Sequence, residues 1–456
     1  MIYQAENKQI RIALAGDLMP SRTLTRFTEP DYLALVQLLR GCDVAFANLE
    51  TTVRENNEGA PVFTKGTPMS TSPELLDDVK WLGVNLVSCA NNHATDYGVE
   101  GMLAAGRHLR QARLPAAGQG ENLGAARAPV YVDTPAGRVA LVAATSFFPP
   151  SARASDQRFD AGGRPGINPI AFSSSYRVDA QTFAELRRMD ELLGFRADRA
   201  RKKGEFYSAS EIGSDSENKL NVLGSDFTLS DGFGVSTRAS QADVEGCLRS
   251  LREARRQADW VIFSFHFHEL GQAGALQAQR TVDLLEPAQF ITEVSRAAID
   301  AGADLVAGHG PHVTLGLELY KGKPIVYSLG NFVFQNETIG SIPSESYARF
   351  GLPAQATPAD FFDTRTGNGT RGFPATAEYW QSFIAVCEFS AGALAGLVLQ
   401  PIDLGFGHPR GQRGRPVLAR GDTAQQVLAR AQRLCARHGV TLQIDGEVGR
   451  IRLDQQ

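Results

Sequence analysis

Apolar and polar positions follow one another along this chain in a recurring order: a short apolar run, a few polar residues, then apolar residues at helical spacing. Ile10–Ala15 is the first such run, too short for a helix and closed by Gly16-Asp17, which predicts a buried strand. Asp31–Arg40 follows, with Leu33, Val36 and Leu39 on one helical face. Val44–Ala47 is the next strand and ends in Asn48-Leu49-Glu50; Pro73–Leu82, with proline in its first turn, is the next helix. Val84–Ala90 is a strand ending in Asn91-Asn92-His93, and Val99–Leu114 returns to helical spacing. Tyr131–Asp133 and Val139–Ala144, separated by Pro135-Ala-Gly137, form a hairpin-type pair.

In the second half Gln241–Ala258 is an amphipathic helix, Trp260–Phe265 a strand running into His266-Phe267-His268, and Pro287–Ala301 a helix. Asp304–Ala307 and Ile325–Leu329 are strands that stop at His309-Gly-Pro-His312 and Gly330-Asn331. Pro311 lacks an N–H and turns Gly310 away from helical angles, so His309 and His312 are placed on a loop. Phe383–Phe389 is a further strand, and Thr423–Arg437 a helix capped by Asp422 or Thr423. Two stretches interrupt the order. Residues 146–235 are rich in Gly, Ser, Pro and charge, with one helical piece at Gln181–Leu193, and either disorder or an active-site insertion fits them. Residues 335–380 carry Phe361-Phe362 and the turn-rich Thr366-Gly-Asn-Gly369. Both leave strands at the polar edge, where they are placed to form a lid that carries substrate choice. Their arginines, Arg153, Arg158, Arg164, Arg365 and Arg371, are solubility residues by default, with one or two expected at substrate.

Asp17, Glu50, Asn91, Asn92, His93, His266, His268, His309, His312 and Asn331 all lie just beyond apolar strands. Alignment of those strands in one sheet gathers them along one edge, outside the carboxyl ends where α/β folds bind ligands. Five of the eight histidines take part, leaving only His108, His408 and His438 elsewhere, which chance placement does not favour. Carboxylate, carboxamide and imidazole together suit one or two divalent ions such as Mn²⁺, Fe²⁺ or Zn²⁺ better than a serine triad. Glu50 is the candidate bridge between two ions. His93 is the candidate proton donor, because its neighbour Asn92 can take the metal, and Asp96 stands where it can orient His93. Arg22, near Asp17, is a candidate phosphate or carboxylate contact. Asn331 either caps the turn after Gly330 or serves the site.

Composition narrows the field. With 456 residues, 43% of them hydrophobic, the chain can bury a large core. A net charge of −4 and a pI near 6.1 give no reason to expect nucleic acid or an anionic membrane. Cys42, Cys89, Cys247, Cys387 and Cys435 are odd in number and far apart, which fits reduced core residues. The only apolar run before Asp17 is much shorter than a signal-peptide core or a membrane span, so a cytoplasmic protein without a membrane anchor is expected. There is no Gly-x-Ser-x-Gly elbow and no Walker-type loop.

Gly16-Asp17-Leu-Met-Pro-Ser-Arg22, Asn48-Leu-Glu50, Asn91-Asn92-His93-Ala-Thr-Asp96-Tyr-Gly98, Gly308-His309-Gly-Pro-His312-Val313 and Tyr327-Ser-Leu-Gly330-Asn331-Phe332-Val333-Phe334 resemble, in order, the motifs of the CapA family of poly-γ-glutamate capsule biosynthesis proteins. The resemblance implies a calcineurin-like metallophosphoesterase fold, a β-sandwich flanked by helices, over residues 8–410, with 146–235 as insertion and 335–380 as a loop. Residues 411–456 are then a C-terminal helix-strand extension. It further implies that Asp17, Glu50, Asn92, His266, His309 and His312 form the metal shell and His93 the proton donor. Met19 departs from the histidine that most metallophosphoesterases carry two residues after the first aspartate, which leaves one metal site a ligand short. His268 departs on the other side, and is either an extra ligand or a catalytic contact to substrate; strand alternation puts it on the face of His266. The implied activity is metal-dependent hydrolysis of a small-molecule, peptide or acidic-polymer substrate. Peptide modification, as amide hydrolysis or Cα epimerisation, and a non-catalytic role in polymer synthesis are the alternatives.

Overall fold

The computed structural model describes residues 9–64, 66–205, 215–271 and 285–453. Residues 8, 65, 206–214, 272–284 and 454–456 of the expected domain spans lie outside the described residues. The first strand, Ile10–Met19, is central to the larger sheet. It pairs in parallel with Val44–Leu49 on one side, and on the other antiparallel with Gln381–Ser390 and then in parallel with Asn331–Phe334. Leu86–Ser88 and Ala116–Ala117 extend this sheet one way; Ala393–Asp403 and the hairpin Leu442–Asp445 with Val448–Ile451 extend it the other. A second sheet runs in the order Leu317–Tyr320, Lys323–Val326, Leu305–His309, Trp260–His266, Gly137–Thr145, Val130–Thr134. Its inner strands are parallel and its outer ones are hairpins.

Alternation decides what each face meets. Ile10, Ile12 and Leu14 point toward the second sheet and share one buried cluster with Val139, Leu141, Trp260, Ile262 and Leu305. Ala13 and Ala15 point the other way, under the helices Pro30–Arg40, Leu75–Leu82 and Gly98–Gln111. Behind the second sheet, Val142, Phe263 and Val306 pack under Gln241–Gln257 and Gln289–Asp300. The result is four layers, helix, sheet, sheet and helix, the sandwich flanked by helices implied by the resemblance. Trp260, 2% exposed between the sheets, is among the largest side chains there, and truncating it to alanine costs about 3–5 kcal/mol.

Several local expectations change. The site residues do not line the edge of one sheet; they come from both sheets, whose strand ends face each other. His309 is the last residue of a strand rather than part of a loop. The C-terminal helix is Gly421–Ala436, begins two residues before Thr423 and has no side-chain cap; Asp422 sits in its first turn instead. Its Val427, Ala431 and Cys435 enter the cluster between the sheets, so the helix-strand segment beyond residue 410 closes the core. In the insertion, Lys219–Val222, Ser225–Leu229, Phe172–Val178 and Gly234–Ala239 form a small sheet of their own, with the helix Ala180–Leu192 against it. All five cysteines are free and buried. Among the described residues no helix is long and apolar enough to cross a membrane.

Candidate functional site

The first strand delivers Asp17 through an irregular stretch: its pairing register shifts between Leu14 and Asp17 on one side and after Asp17 on the other. Such a bulge re-aims a side chain. Gly16 makes this possible, since a Cβ there would lie 1.8 Å from the Gly330 carbonyl oxygen. The Asp17 N–H donates to that same oxygen at 2.9 Å. The Asp17 carboxylate accepts from Asn48 Nδ2 at 2.9 Å and from the Gly310 N–H at 3.3 Å.

His266 and His309 end adjacent parallel strands in direct register, on the face that looks between the sheets. Their Nδ1 atoms are 3.0 Å apart, and His309 Nδ1 is 3.8 Å from Asp17 Oδ1. Ser264 Oγ meets the other nitrogen of His309 at 2.7 Å, and Asn92 Oδ1 meets His266 Nε2 at 2.8 Å. His312 has φ +61°, a left-handed conformation that costs a non-glycine residue about 1–2 kcal/mol and points to function when the surroundings enforce it. Asn331 enforces it: its Oδ1 bonds His312 Nδ1 at 3.0 Å, and its Nδ2 donates to the His312 carbonyl at 3.2 Å and to Tyr379 O at 2.9 Å. Asn331 is therefore tied to His312 and not only to the turn after Gly330. With Nδ1 held, His312 Nε2 is left facing Glu50 Oε1 at 3.9 Å.

Two groups of three side chains bring one ligating atom each within 4.8 Å of one another: Asp17, His266 and His309, and Glu50, His268 and His312. Asp17, Glu50, His266 and His309 are fully buried. Both oxygens of Glu50 and Nε2 of His268 have no hydrogen-bond partner among the described residues. Burial, then the nearby Asp17 charge, pushes the Glu50 carboxyl well above its ordinary value. Burial also opposes ionisation of Asp17, but the His312 hydrogen bond and charge, with His309 and Asn48, hold its carboxyl below the ordinary value. Burial lowers His309 to about 4 and His268 to about 3, in the latter case aided by His312. His266 is pushed well down by burial and then by the histidines around it. These imidazoles are neutral at pH 7, the form that binds a cation.

His93 Nδ1 is 2.6 Å from Asp96 Oδ2, the contact anticipated from their spacing, and the same oxygen accepts from the Met69 N–H at 2.6 Å. His93 Nε2 lies 3.8 Å from Glu50 Oε1. His93, His268 and His312 border a cavity of about 840 Å³. Met19, 2% exposed, packs with Phe334 and Trp380 and forms one of its walls. Both irregular segments reach it, through Phe147–Pro149 and Ser151 from one and Asn336, Arg365, Phe373 and Tyr379 from the other. A third contribution, Val62, Phe63, Thr64, Gly66, Thr67 and Met69, has no distinguishing signal in the sequence beyond an isolated apolar pair.

Arg22 is not at the site: its guanidinium donates to Gly411 O, to Arg413 O at 2.6 Å and to Thr338 Oγ1 at 3.1 Å. Arg153 pairs with Asp243 and Arg158 with Asp160, while Arg164 and Arg371 bond backbone carbonyls. Of the five arginines singled out, Arg365 alone lines the cavity.

A helix-flanked sandwich of two sheets, with acidic and imidazole side chains meeting at its strand ends, is the calcineurin-like metallophosphoesterase fold. Within that class the chain belongs to the bacterial capsule synthesis protein family PGA_cap, whose model matches residues 11–336. It is 34% identical over 447 residues to Uncharacterized protein y4sH of Sinorhizobium fredii (strain NBRC 101917 / NGR234), covering 96% of this chain and 92% of that one. It is 24% identical over 339 residues to the Capsule biosynthesis protein CapA of Bacillus anthracis, covering 73% of this chain and 62% of that protein. The PGA biosynthesis protein CapA of Bacillus subtilis (strain 168) is 24% identical over 329 residues, 71% of this chain and 62% of that protein.

Proposed function

We propose that this chain is a metal-dependent hydrolase of the metallophosphoesterase type, working in an acidic-polymer or peptide pathway akin to that of its capsule relatives. Glu50 carries the reading. Its two oxygens are buried and take no hydrogen bond from any donor among the described residues, while Nε2 of His266, His93 and His312 stand 3.7, 3.8 and 3.9 Å from Oε1. Those gaps are too long for hydrogen bonds, and an unpaired buried carboxylate is costly. A cation among these atoms relieves both features.

Asp17, Glu50, Asn92, His266, His309 and His312 are the residues that would hold one or two divalent ions. His268, grouped with Glu50 and His312, supplies a nitrogen where Met19 offers none. Oxygen and imidazole donors suit Mn²⁺, Fe²⁺ or Zn²⁺. An ion bound there supplies Lewis acidity and lowers the pKa of water. The chain's own groups do the remaining work. Asp96 fixes Nδ1 of His93, which leaves Nε2 facing the cavity as the atom that protonates a leaving group. Asn331 and Ser264 hold the rings of His312 and His309 in one orientation.

Metal analysis of the purified protein tests the reading: stoichiometric divalent metal is expected, lost in Asp17→Asn/His309→Ala. Aryl phosphate hydrolysis, abolished by chelation and restored by Mn²⁺, is the expected activity. Absence of metal, or a metal content indifferent to that double substitution, rules the proposal out. A second reading, proton exchange at a peptide Cα, draws on the unpartnered His268 Nε2 across the same cavity from His93. Deuterium uptake into a peptide without cleavage is the result that would favour it.

A further inference from the structure

The structure assigns a ligand class to the cavity: a molecule with an apolar body and an oxyanion, the oxyanion held by Arg365. This rests on the cavity being the substrate site, but not on the reaction being hydrolysis.

Arg365 belongs to the helix Pro358–Thr366, beyond residue 336 where the family match ends. It is the only Lys or Arg among the described residues that line the cavity. One guanidinium nitrogen donates to Thr67 Oγ1, and the guanidinium carbon lies 5.9 Å from the Phe361 ring centroid. Among the described residues no carboxylate stands within ion-pair distance of it. Glu337, the nearby acid, is already engaged by Arg413 and, at 3.8 Å, by Arg410. Burial, then the charge of Arg349, lowers the guanidinium from its ordinary value, a desolvation cost that an anion beside it offsets. A guanidinium presents five N–H groups in a fork that matches a carboxylate or phosphate.

The rest of the lining is of another kind. Val62, Phe63, Val99 and Phe147 are all exposed large apolar side chains, and all four border this cavity. Apolar surface left uncovered beside a few convergent polar groups is the pattern of a ligand pocket. The match is therefore to an acidic group on an apolar molecule or peptide end.

Titration calorimetry of the full chain with 2-naphthylacetate and its neutral amide, as purified and again with excess chelator, tests this. The acid is expected to bind at least about tenfold tighter than the amide, as one charge-assisted pair requires. The gap is expected to persist under chelation, collapse in Arg365→Ala, survive partly in Arg365→Lys and remain in Thr67→Val, which removes the Thr67 contact but keeps the charge. Under chelation 2-naphthyl phosphate extends the comparison: a larger gap for phosphate or for carboxylate identifies the source of the oxyanion, and either supports the assignment. Equal binding of acid and amide, or a gap that survives Arg365→Ala, overturns it. If Arg365→Ala does not fold, the wild-type acid-to-amide ratio and Thr67→Val decide. A metal-free, inactive protein that shows the gap refutes the hydrolase reading and leaves this one standing.

Discussion

Replacing Glu50 by glutamine removes a buried negative charge while keeping the length and shape of the side chain. In the metal-free protein its folded pKa lies above the unfolded value, so the folded state holds the extra proton. The stability from that proton is full below the unfolded pKa of about 4.5 and is lost as pH rises through the folded value. At pH 8 the wild-type chain must bury a charge or hold a proton against the solution, whereas glutamine does neither and its amide can donate to Asp17. An unsatisfied buried polar group costs about 1–3 kcal/mol. With about 2.1 cal/mol/K of unfolding entropy per residue, the 456-residue chain has roughly 1 kcal/mol/K, so Tm should rise about 1–3 °C in metal-free Glu50→Gln. With metal the sign reverses. A ligand at a hundred times its Kd stabilises the wild type by about 2.7 kcal/mol, about 3 °C here, and glutamine should forfeit most of that. Scanning calorimetry of both proteins at pH 8, with chelator and with Mn²⁺, reads the two effects. A variant that is destabilised without metal, or that keeps the full metal-induced rise, refutes the assignment of Glu50 as an ionised ligand.

Asp96→Asn should leave metal content unchanged and lower kcat by about a hundredfold on aryl phosphate, because His93 loses the carboxylate that orients it; steady-state kinetics beside metal analysis checks this. His268→Ala should reduce bound metal by up to one ion while Asp17→Asn removes more, since the two belong to different ligand groups; elemental analysis separates them. In the chelated protein, His309 at about 4 lies below its unfolded value of 6.5, so the unfolded chain binds more protons between those pH values. Its contribution is complete above pH 6.5 and falls by about 3 kcal/mol as pH drops to about 4, seen as a falling Tm that His309→Gln should flatten.

The strand ends were legible because each short apolar run stops at a polar residue, and that pattern singled out Asp17, Glu50, His93, His266, His309 and His312, which the fold brings together. Period-two alternation says which residues share a face but not which sheet a strand joins. Trp260 and Ile12 therefore carry no sign that they meet across two sheets; the family resemblance supplied that. Phe172–Val178, with its run of serines and half-exposed pattern, lacks the alternation of a strand and reads as loop. Arg22 misled because nearness in sequence to Asp17 says nothing about direction, and the backbone of Gly411 and Arg413 claims its guanidinium. The segment around Val62 and Thr67 reaches the cavity only through the fold.

Only glycine fits at position 16, because the Gly330 carbonyl lies where a side chain would be, and Asp17 stands in register with Asn331, 314 positions later. At about 5–20 residues per second, a ribosome takes roughly 15–60 s to supply that partner after Asp17 emerges. Until then the first strand lacks its neighbours Asn331–Phe334 and Gln381–Ser390, and the future ligands are scattered over a growing chain. On the proposed reading metal loading is therefore a late event in the life of each molecule, and a product truncated before residue 331 lacks the Asn331 that holds His312.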